Sequence, residues 1–227
     1  MKVKILAVDT CTNVCSLCVM DGDRTVAQYM TVGERTHTER LMDAIETLFS
    51  HLDFGIEAIQ GLAVTNGPGS FTGLRISLSV IKGLAFALNI PVVTASSLEV
   101  AAMQITEIGF ICPALDARRN EVFAALFERT DEGLFCLLEP RSVLPAVWEK
   151  QLPDAPILFC GPGAHLYWST LQRTTSKLVG PPDLVLATTM AHRAQKLFVR
   201  REFISANELN AAYLRPSDAE ARKIANA

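Results

Sequence analysis

The residues of this chain with the clearest chemical potential lie in the segment NGPGSFTGLR, residues 66–75. An apolar run precedes it and a long stretch rich in small residues follows, so the expected order is strand, glycine turn, helix. Backbone amides at the start of a helix can hold an anion. Leu74 and Arg75 stand where a P-loop would carry Lys and then Ser or Thr, so this is not a P-loop. Gly67 and Gly69 are therefore candidates either for a phosphate-holding turn or for a turn that lets two chain segments come close.

A second candidate is the turn after the first apolar segment, where Asp9, Thr10 and Thr12 stand between two expected strands. An aspartate with neighbouring hydroxyls in such a turn can meet a metal-bound nucleotide. The same side chains also stabilise turns through hydrogen bonds to nearby backbone groups. Both interpretations stay open. The enzymatic alternative is a phosphotransferase or ATPase that uses Asp9 on a Mg-nucleotide.

Metal and nucleophile chemistry have little support in the sequence. The four histidines include no pair at the spacing that puts two imidazoles on one helix face. Cys15 and Cys18 form a C-x-x-C pair, but residues three apart on a strand point to opposite faces, so we expect small buried side chains. Ser70 is not in G-x-S-x-G, which argues against a serine hydrolase. Six cysteines without secretory features predict free thiols in a reducing, cytoplasmic environment.

The hydrophobic pattern predicts the elements that position these residues. In the first half we expect strands at 3–8, 14–20, 24–31, 61–65 and 92–95, and helices at 37–51 and 74–88. A capping box at 36–39 marks the start of the first helix. The second half repeats the plan, with strand, aspartate turn and strand at 112–127, and strand, Gly-Pro-Gly and helix at 157–168. This repeat predicts two lobes built from one unit, followed by helices at 187–200 and 218–226.

The two helices of the first half are unusually apolar. The helix at 74–88 combines small residues, which let another helix approach closely, with a strong apolar stripe. The helix at 37–51 has apolar residues beyond one narrow seam. Together they could offer a hydrophobic patch to a partner, although packing on their own sheet accounts for part of this apolarity.

Overall composition narrows the class of partner. The formal net charge is −3 and the basic residues are scattered, which disfavours strong direct binding to nucleic acid. No run approaches the roughly 18 apolar residues of a membrane helix, so we expect no membrane partner.

Several of these segments resemble the TsaB (YeaZ) family of tRNA threonylcarbamoyladenosine biosynthesis. The resemblance rests on ILAVDTCTNVCSLCV, the helix start HTERL, NGPGSFTGLRISLSVIKGLA, LDARRNEVFAALF and the late YLRP. It implies an α/β fold of the actin-like ATPase and sugar-kinase superfamily, with two ribonuclease H-like lobes, the second reduced. The expected lobes are residues 1–100 and 101–227, with the last helix packing back on the first lobe.

The resemblance also implies a role without catalysis. The catalytic paralogue, TsaD, carries a metal-binding H-x-x-x-H where this chain, aligned on Pro91, has Ser97 and Ala101. The chain is then expected to lack a catalytic site and a metal site, and to bind no cofactor alone. ATP and a metal ion would belong to partner subunits, and any phosphate role of the Asp9 and glycine turns would be vestigial.

In this picture the chain binds and stabilises TsaD, the ATPase TsaE joins the complex, and tRNA is met only through it. The complex transfers a threonylcarbamoyl group to the adenosine next to the anticodon in tRNAs that read codons starting with A. Self-association as a homodimer is expected through the same helices. A glycoprotease, the older label of the family, lacks a visible nucleophile or metal site. The expected partner-binding residues are His37, Leu41, Met42, Ile45, Gly73, Ser77, Val80, Ile81, Gly83, Leu84 and Ala87.

Overall fold

The computed structural model describes residues 3–33 and 37–215, with the backbone alone for 37–40. Part of the expected capping box and the expected helix at 218–226 lie outside the described residues. The first half contains β1 Lys4–Asp9, β2 Val14–Asp21, β3 Arg24–Val32, α1 His37–Ser50, β4 Gly61–Thr65, α2 Phe71–Leu88, β5 Val92–Ala95 and α3 Ser97–Met103. The second half contains β6 Gly109–Arg118, β7 Glu121–Thr130, β8 Gly133–Val143, α4 Pro145–Glu149, β9 Ile157–Cys160, α5 Pro162–Leu166, α6 Trp168–Leu171, β10 Lys177–Leu178 and α7 Ala187–Arg200.

The first sheet has the strand order β3-β2-β1-β4-β5. Its first three strands form an antiparallel meander, and β4 and β5 run parallel to β1. All five residues of β4 are buried, as a strand covered on both faces requires. This parallel half brings the end of β1, which carries Asp9, beside the glycine turn that follows β4.

The second sheet repeats that arrangement. Its order is β10-β9-β6-β7-β8, with β6, β7 and β8 antiparallel and β9 and β10 parallel to β6. The repeat expected from the sequence is therefore confirmed at the level of topology. Both lobes therefore share one sheet topology, as the expected two-lobed α/β fold requires.

The helices of the two lobes differ in size. The first lobe carries helices of 14 and 18 residues, whereas α4, α5 and α6 of the second have only 5, 5 and 4 residues. The second lobe is thus reduced in its helical layer, as expected. Besides α1 and α2, the other long helix in the described part of the chain is α7, of 14 residues.

The central core lies between the two sheets and is filled by α3 and α7. The helix α7 comes late in the chain but packs on β1, β2, β4 and β5 of the first lobe. Its predicted apolar side buries Met190, Ala194 and Phe198. Gly61 makes room for this packing, because a Cβ there would lie 2.3 Å from the Phe198 ring. The helix α7 thus returns to the first lobe, whereas the last helix that was expected to do so lies outside the described residues. The expected boundary at residue 100 falls inside α3.

Candidate functional site

The glycine turn after β4 lies directly against the turn after β1. A Cβ at Gly69 would stand 2.3 Å from the carbonyl oxygen of Cys11, and the amide of Ser70 donates to that oxygen at 2.7 Å. Gly67 has φ of +114°, which L side chains rarely adopt, and a Cβ there would lie 2.9 Å from the carbonyl oxygen of Ala212. The close approach of the Cys11 and Ala212 backbone is therefore enough by itself to explain why both positions are glycine.

The second lobe repeats this contact. A Cβ at Gly161 would be 2.7 Å from the carbonyl oxygen of Ala114, and one at Gly163 would be 2.6 Å from the carbonyl carbon of Leu115. In both lobes a glycine turn thus lies in close contact with the first strand of its sheet or the turn after it. Gly69 meets Cys11, and Gly161 and Gly163 meet β6, whereas Gly67 meets Ala212. Of the two interpretations of NGPGSFTG, the close-approach turn accounts for both copies.

The Asp9 turn is folded inward. Asp9 and Thr10 are fully buried. The Asp9 carboxylate accepts hydrogen bonds from the Thr65 hydroxyl and from the amide of Cys11, the latter at 3.3 Å. The Thr10 hydroxyl donates to the carbonyl of Gly73 in the first turn of α2, at 2.7 Å, while the Thr12 hydroxyl accepts from the amide of Val14. The structure brings the predicted residues together, but it uses these groups to hold β1, β4 and α2.

Two residues of this cluster carried no clear signal in the sequence. The Cys11 thiol lies 3.0 Å from the Thr65 hydroxyl. Burial, together with the negative charge of Asp9, raises the pKa of the Cys11 thiol well above its ordinary value. A protonated, buried thiol is a poor nucleophile and a poor metal ligand. Only the position of Thr65, at the end of a buried strand before the glycine turn, could have suggested its role.

Ser97 and Ala101, the two positions that the resemblance matches to the metal ligands of TsaD, are also internal. Ser97 is fully buried, its amide donates to the carbonyl of Gly67 at 2.9 Å, and its hydroxyl donates to the carbonyl of Pro68. Ala101 is fully buried in the central core. Ser97 therefore fastens the glycine turn. Within residues 3–33 and 37–215, no group of three or more His, Cys, Asp or Glu residues could hold a metal ion.

The strongest surface feature of the first lobe is the side of α1 and α2 that faces away from the sheet. We call it the outward helix face and define it by Met42, Val80, Gly83, Leu84, Phe86 and Ala87. Phe86 is 57% exposed and Met42 is 54% exposed. Gly83 and Ala87 are exposed, and a Cβ built at Gly83 meets nothing within 4 Å. The side chains that define this face are apolar, and the space at Gly83 leaves room for a second helix to approach closely.

Five members of the predicted partner-binding set lie in the core of this chain instead. Leu41, Ile45, Gly73, Ser77 and Ile81 are all buried. They form the inner sides of α1 and α2, which pack on each other, on β2 and on β4. Surface contacts therefore have to be made by other members of the set. The side chain of His37 lies outside the described residues.

The outward helix face also includes one residue that the sequence prediction missed. Phe86 was absent from the predicted set, yet it is the most exposed large apolar side chain of the two helices. The sequence held no clear signal for it, because apolar residues occur almost all round α2. In addition, α2 is long and apolar enough to cross a membrane by length and composition, which the sequence prediction had denied. Because α2 packs within the fold, this is weak evidence for a membrane span.

Comparisons with known proteins identify the family. A family model described as "TsaD: tRNA N6-adenosine threonylcarbamoyltransferase" matches residues 31–149. The "tRNA threonylcarbamoyladenosine biosynthesis protein TsaB" of Bacillus subtilis (strain 168) is 30% identical over 228 residues, 97% of each chain. The chain belongs to the TsaB family. The TsaB protein of Haemophilus influenzae is also 30% identical, over 93% of each chain.

A solved structure supports the same assignment. The structure described as "YeaZ from Pseudomonas aeruginosa" has a TM-score of 0.82 and 26% identity, and the match covers 93% of this chain and 100% of that chain. The family and fold expected from the sequence are thus confirmed, and with them a place in the biosynthesis of tRNA threonylcarbamoyladenosine. The region matching the transferase family model runs from β3 to α4, so α1 and α2 lie inside it.

Proposed function

We propose that this chain is a non-catalytic subunit that binds and stabilises the catalytic paralogue TsaD through the outward helix face. The observation that carries this proposal is the exposure of Phe86, which lies three residues from the open position at Gly83 on α2, together with the exposure of Met42 on α1. Aromatic and methionine side chains are enriched at the centres of protein interfaces. Because glycine has no side chain, the backbone of a partner can come close at this position. Exposed apolar side chains favour association with a partner that covers them.

The relationship between the two proteins supports the choice of partner. The match to the TsaD family model includes both helices, so the partner is expected to carry an equivalent pair. Two related helix pairs can pack face to face in a four-helix arrangement, with small residues where the helices cross. The same surface would allow two copies of this chain to associate when the partner is absent.

The proposed lack of catalysis is supported by the internal hydrogen bonds of the polar side chains that could otherwise act on a substrate. Asp9, Thr10 and Ser97 are buried and hydrogen-bonded within the chain. A carboxylate engaged in this way has to break those bonds before it can hold a Mg-nucleotide. ATP and a metal ion are therefore assigned to the partner subunits, including the ATPase TsaE, and tRNA is met through the complex in the cytoplasm.

The proposed reaction of the whole complex is threonylcarbamoyl transfer to the adenosine next to the anticodon in tRNAs that read codons starting with A. The donor is threonylcarbamoyl-adenylate, from which AMP leaves. The reaction is tested by reconstitution with purified TsaD and TsaE, this donor, ATP and an unmodified tRNA, with mass spectrometry of the modified nucleoside. We expect product from the full set and none from this chain alone or from the set without it. Product formation without this chain would refute a required role.

The helix surface is tested in the same assay with a matched pair of variants. Phe86→Asp places a charge on the outward helix face, and Val199→Asp places one on α7 at a side chain of similar exposure, 57% and 59% respectively. We expect Phe86→Asp to lose product and Val199→Asp to retain it. Steady ATP hydrolysis by the isolated chain, abolished by Asp9→Asn, would instead support the phosphotransferase alternative.

A further inference from the structure

The late Tyr-Leu-Arg segment of this chain runs from the first lobe to the second. We call Leu209–Arg215 the strap. Leu209 is buried in the core of the first lobe, and the amide of Ala212 donates to the carbonyl of Asn66 at 2.8 Å. A Cβ built at Gly67 would lie 2.9 Å from the carbonyl oxygen of Ala212. The strap therefore begins in the first lobe and crosses over the glycine turn.

Next, the strap contacts the start of α2. The rings of Tyr213 and Phe71 have centroids 5.1 Å apart with an interplanar angle of 32°. The guanidinium of Arg75 lies 4.4 Å from the centroid of the Phe71 ring. Aromatic pairs and cation–π contacts each contribute beyond simple burial. Tyr213 thus helps hold the first turn of the helix that carries the outward helix face.

The strap ends in the second lobe. One guanidinium nitrogen of Arg215 lies 3.0 Å from the carboxylate of Glu121, and another donates to the carbonyl of Ala117 at 2.8 Å. The Ser142 hydroxyl donates to the same oxygen of Glu121 at 2.5 Å. These contacts join the hairpin between β6 and β7, which is the second-lobe counterpart of the Asp9 turn. Both partners of the ion pair are mostly shielded from water, so the pair is stronger than an exposed one.

We propose that Tyr213 and Arg215 are positioning residues: the strap ties the α2 start to the β6–β7 hairpin and fixes the two lobes relative to each other. The structural argument is that one short segment contacts the glycine turn, the first residue of α2 and the opposite lobe in succession. The consequence for partner binding rests on the proposed function of the outward helix face.

The strap is tested first in the isolated chain by hydrogen–deuterium exchange. Arg215→Met removes the charge and keeps the side-chain stem, Tyr213→Ala removes the ring, and Leu214→Ala is the control between them. We expect Arg215→Met to raise amide exchange roughly tenfold in the strap and near the β6–β7 hairpin, since its charge-assisted hydrogen bonds close those segments. We expect Tyr213→Ala to raise exchange in the strap. Tyr213→Ala should also raise exchange at the α2 start. Unchanged exchange in both variants would overturn the proposal.

The separation of the lobes is measured by electron spin resonance distances. Labels are placed at Cys136, the exposed cysteine of the second lobe, and at Ser50→Cys on α1. We expect a single narrow distance in the parent chain and a broader distribution with Arg215→Met. An equally narrow distribution in both would overturn the fixing of the lobes.

Partner binding is measured last. If the strap presents α2, Tyr213→Ala should weaken TsaD binding severalfold, with Tyr213→Phe restoring it because the ring is kept. If Tyr213→Ala alters exchange but not affinity, the link to binding is refuted while the strap stands. If Phe86→Asp also leaves affinity unchanged, the proposed function fails instead.

Discussion

Replacing Gly69 with alanine should separate two turns that the fold holds in contact. The new methyl group would lie 2.3 Å from the carbonyl oxygen of Cys11 and 2.8 Å from its Cβ. Ordinary carbon contacts begin near 3.4 Å. The obstacle is backbone, which cannot swing aside as a flexible side chain can. The turn must therefore move by about 1 Å, as in other overpacked sites.

The expected loss of stability follows from what that movement breaks. The Ser70 amide donates to the same carbonyl at 2.7 Å, and leaving such buried groups unsatisfied costs about 1–3 kcal/mol. Overpacking adds about 1–3 kcal/mol. We expect Gly69→Ala to lower the free energy of unfolding by about 3 kcal/mol, which lowers Tm by roughly 6–12 °C for a chain of this size.

Gly83 supplies the matched control. It lies inside α2 with open space where a Cβ would be, so Gly83→Ala should raise the free energy of unfolding by about 0.5–1 kcal/mol. Urea titration of both variants, monitored by circular dichroism, measures the difference. A Gly69→Ala variant as stable as the parent chain would refute the close-approach interpretation. Loss of stability in Gly83→Ala would show that the α2 surface is already covered by the chain.

Further outcomes concern the buried polar groups and thiols. Burial raises the pKa of Cys112 and Cys160 to about 12. The protonated thiols therefore contribute fully to the free energy of unfolding below pH 9.0, the ordinary thiol pKa. This contribution is lost as the pH rises toward 12. Urea titrations under reducing conditions should show a loss of about 1.4 kcal/mol per pH unit for each thiol in that range, and a flat profile would contradict the burial. At pH 8 a thiol reagent should modify the exposed Cys136 and reach the buried cysteines only after unfolding, which mass spectrometry can follow. Ser97→Ala leaves the Pro68 carbonyl without its hydroxyl donor and should cost about 1–2 kcal/mol in the same urea assay, whereas an unchanged midpoint would remove Ser97 from the role of fastening the turn.

Much of the fold could be predicted because its elements have regular periodicity. The structure reproduces the expected bounds of β4, β5 and α7. The strand β8 was not predicted, because its run GLFCLLEPRSV lacks alternation: it is an edge strand with register shifts against β7. The short α3 was not predicted either, since its seven residues span fewer than two full turns of periodic pattern.

The candidate site shows a different limit of sequence reasoning. The sequence pointed to the Asp9 turn and the glycine turn as two separate candidates. The structure brings them together, because the parallel strands β1 and β4 end at one edge of the sheet. It could not separate the inner from the outer side of α2, because apolar residues occur almost all round that helix. Ile81 and Phe86 are alike in sequence terms, yet one is fully buried and the other 57% exposed. That distinction depends on where α1 and β4 lie, which is tertiary information.

The central claim is that the outward helix face binds the catalytic paralogue, and the affinity of Gly83→Leu for TsaD tests it most directly. The open space at Gly83 lets the isolated fold accept a leucine, so thermal unfolding should remain at or above that of the parent chain. In calorimetric titration with TsaD, the leucine should keep the helices apart and weaken binding about thirtyfold or more. A folded Gly83→Leu variant that binds TsaD as tightly as the parent chain would contradict the account.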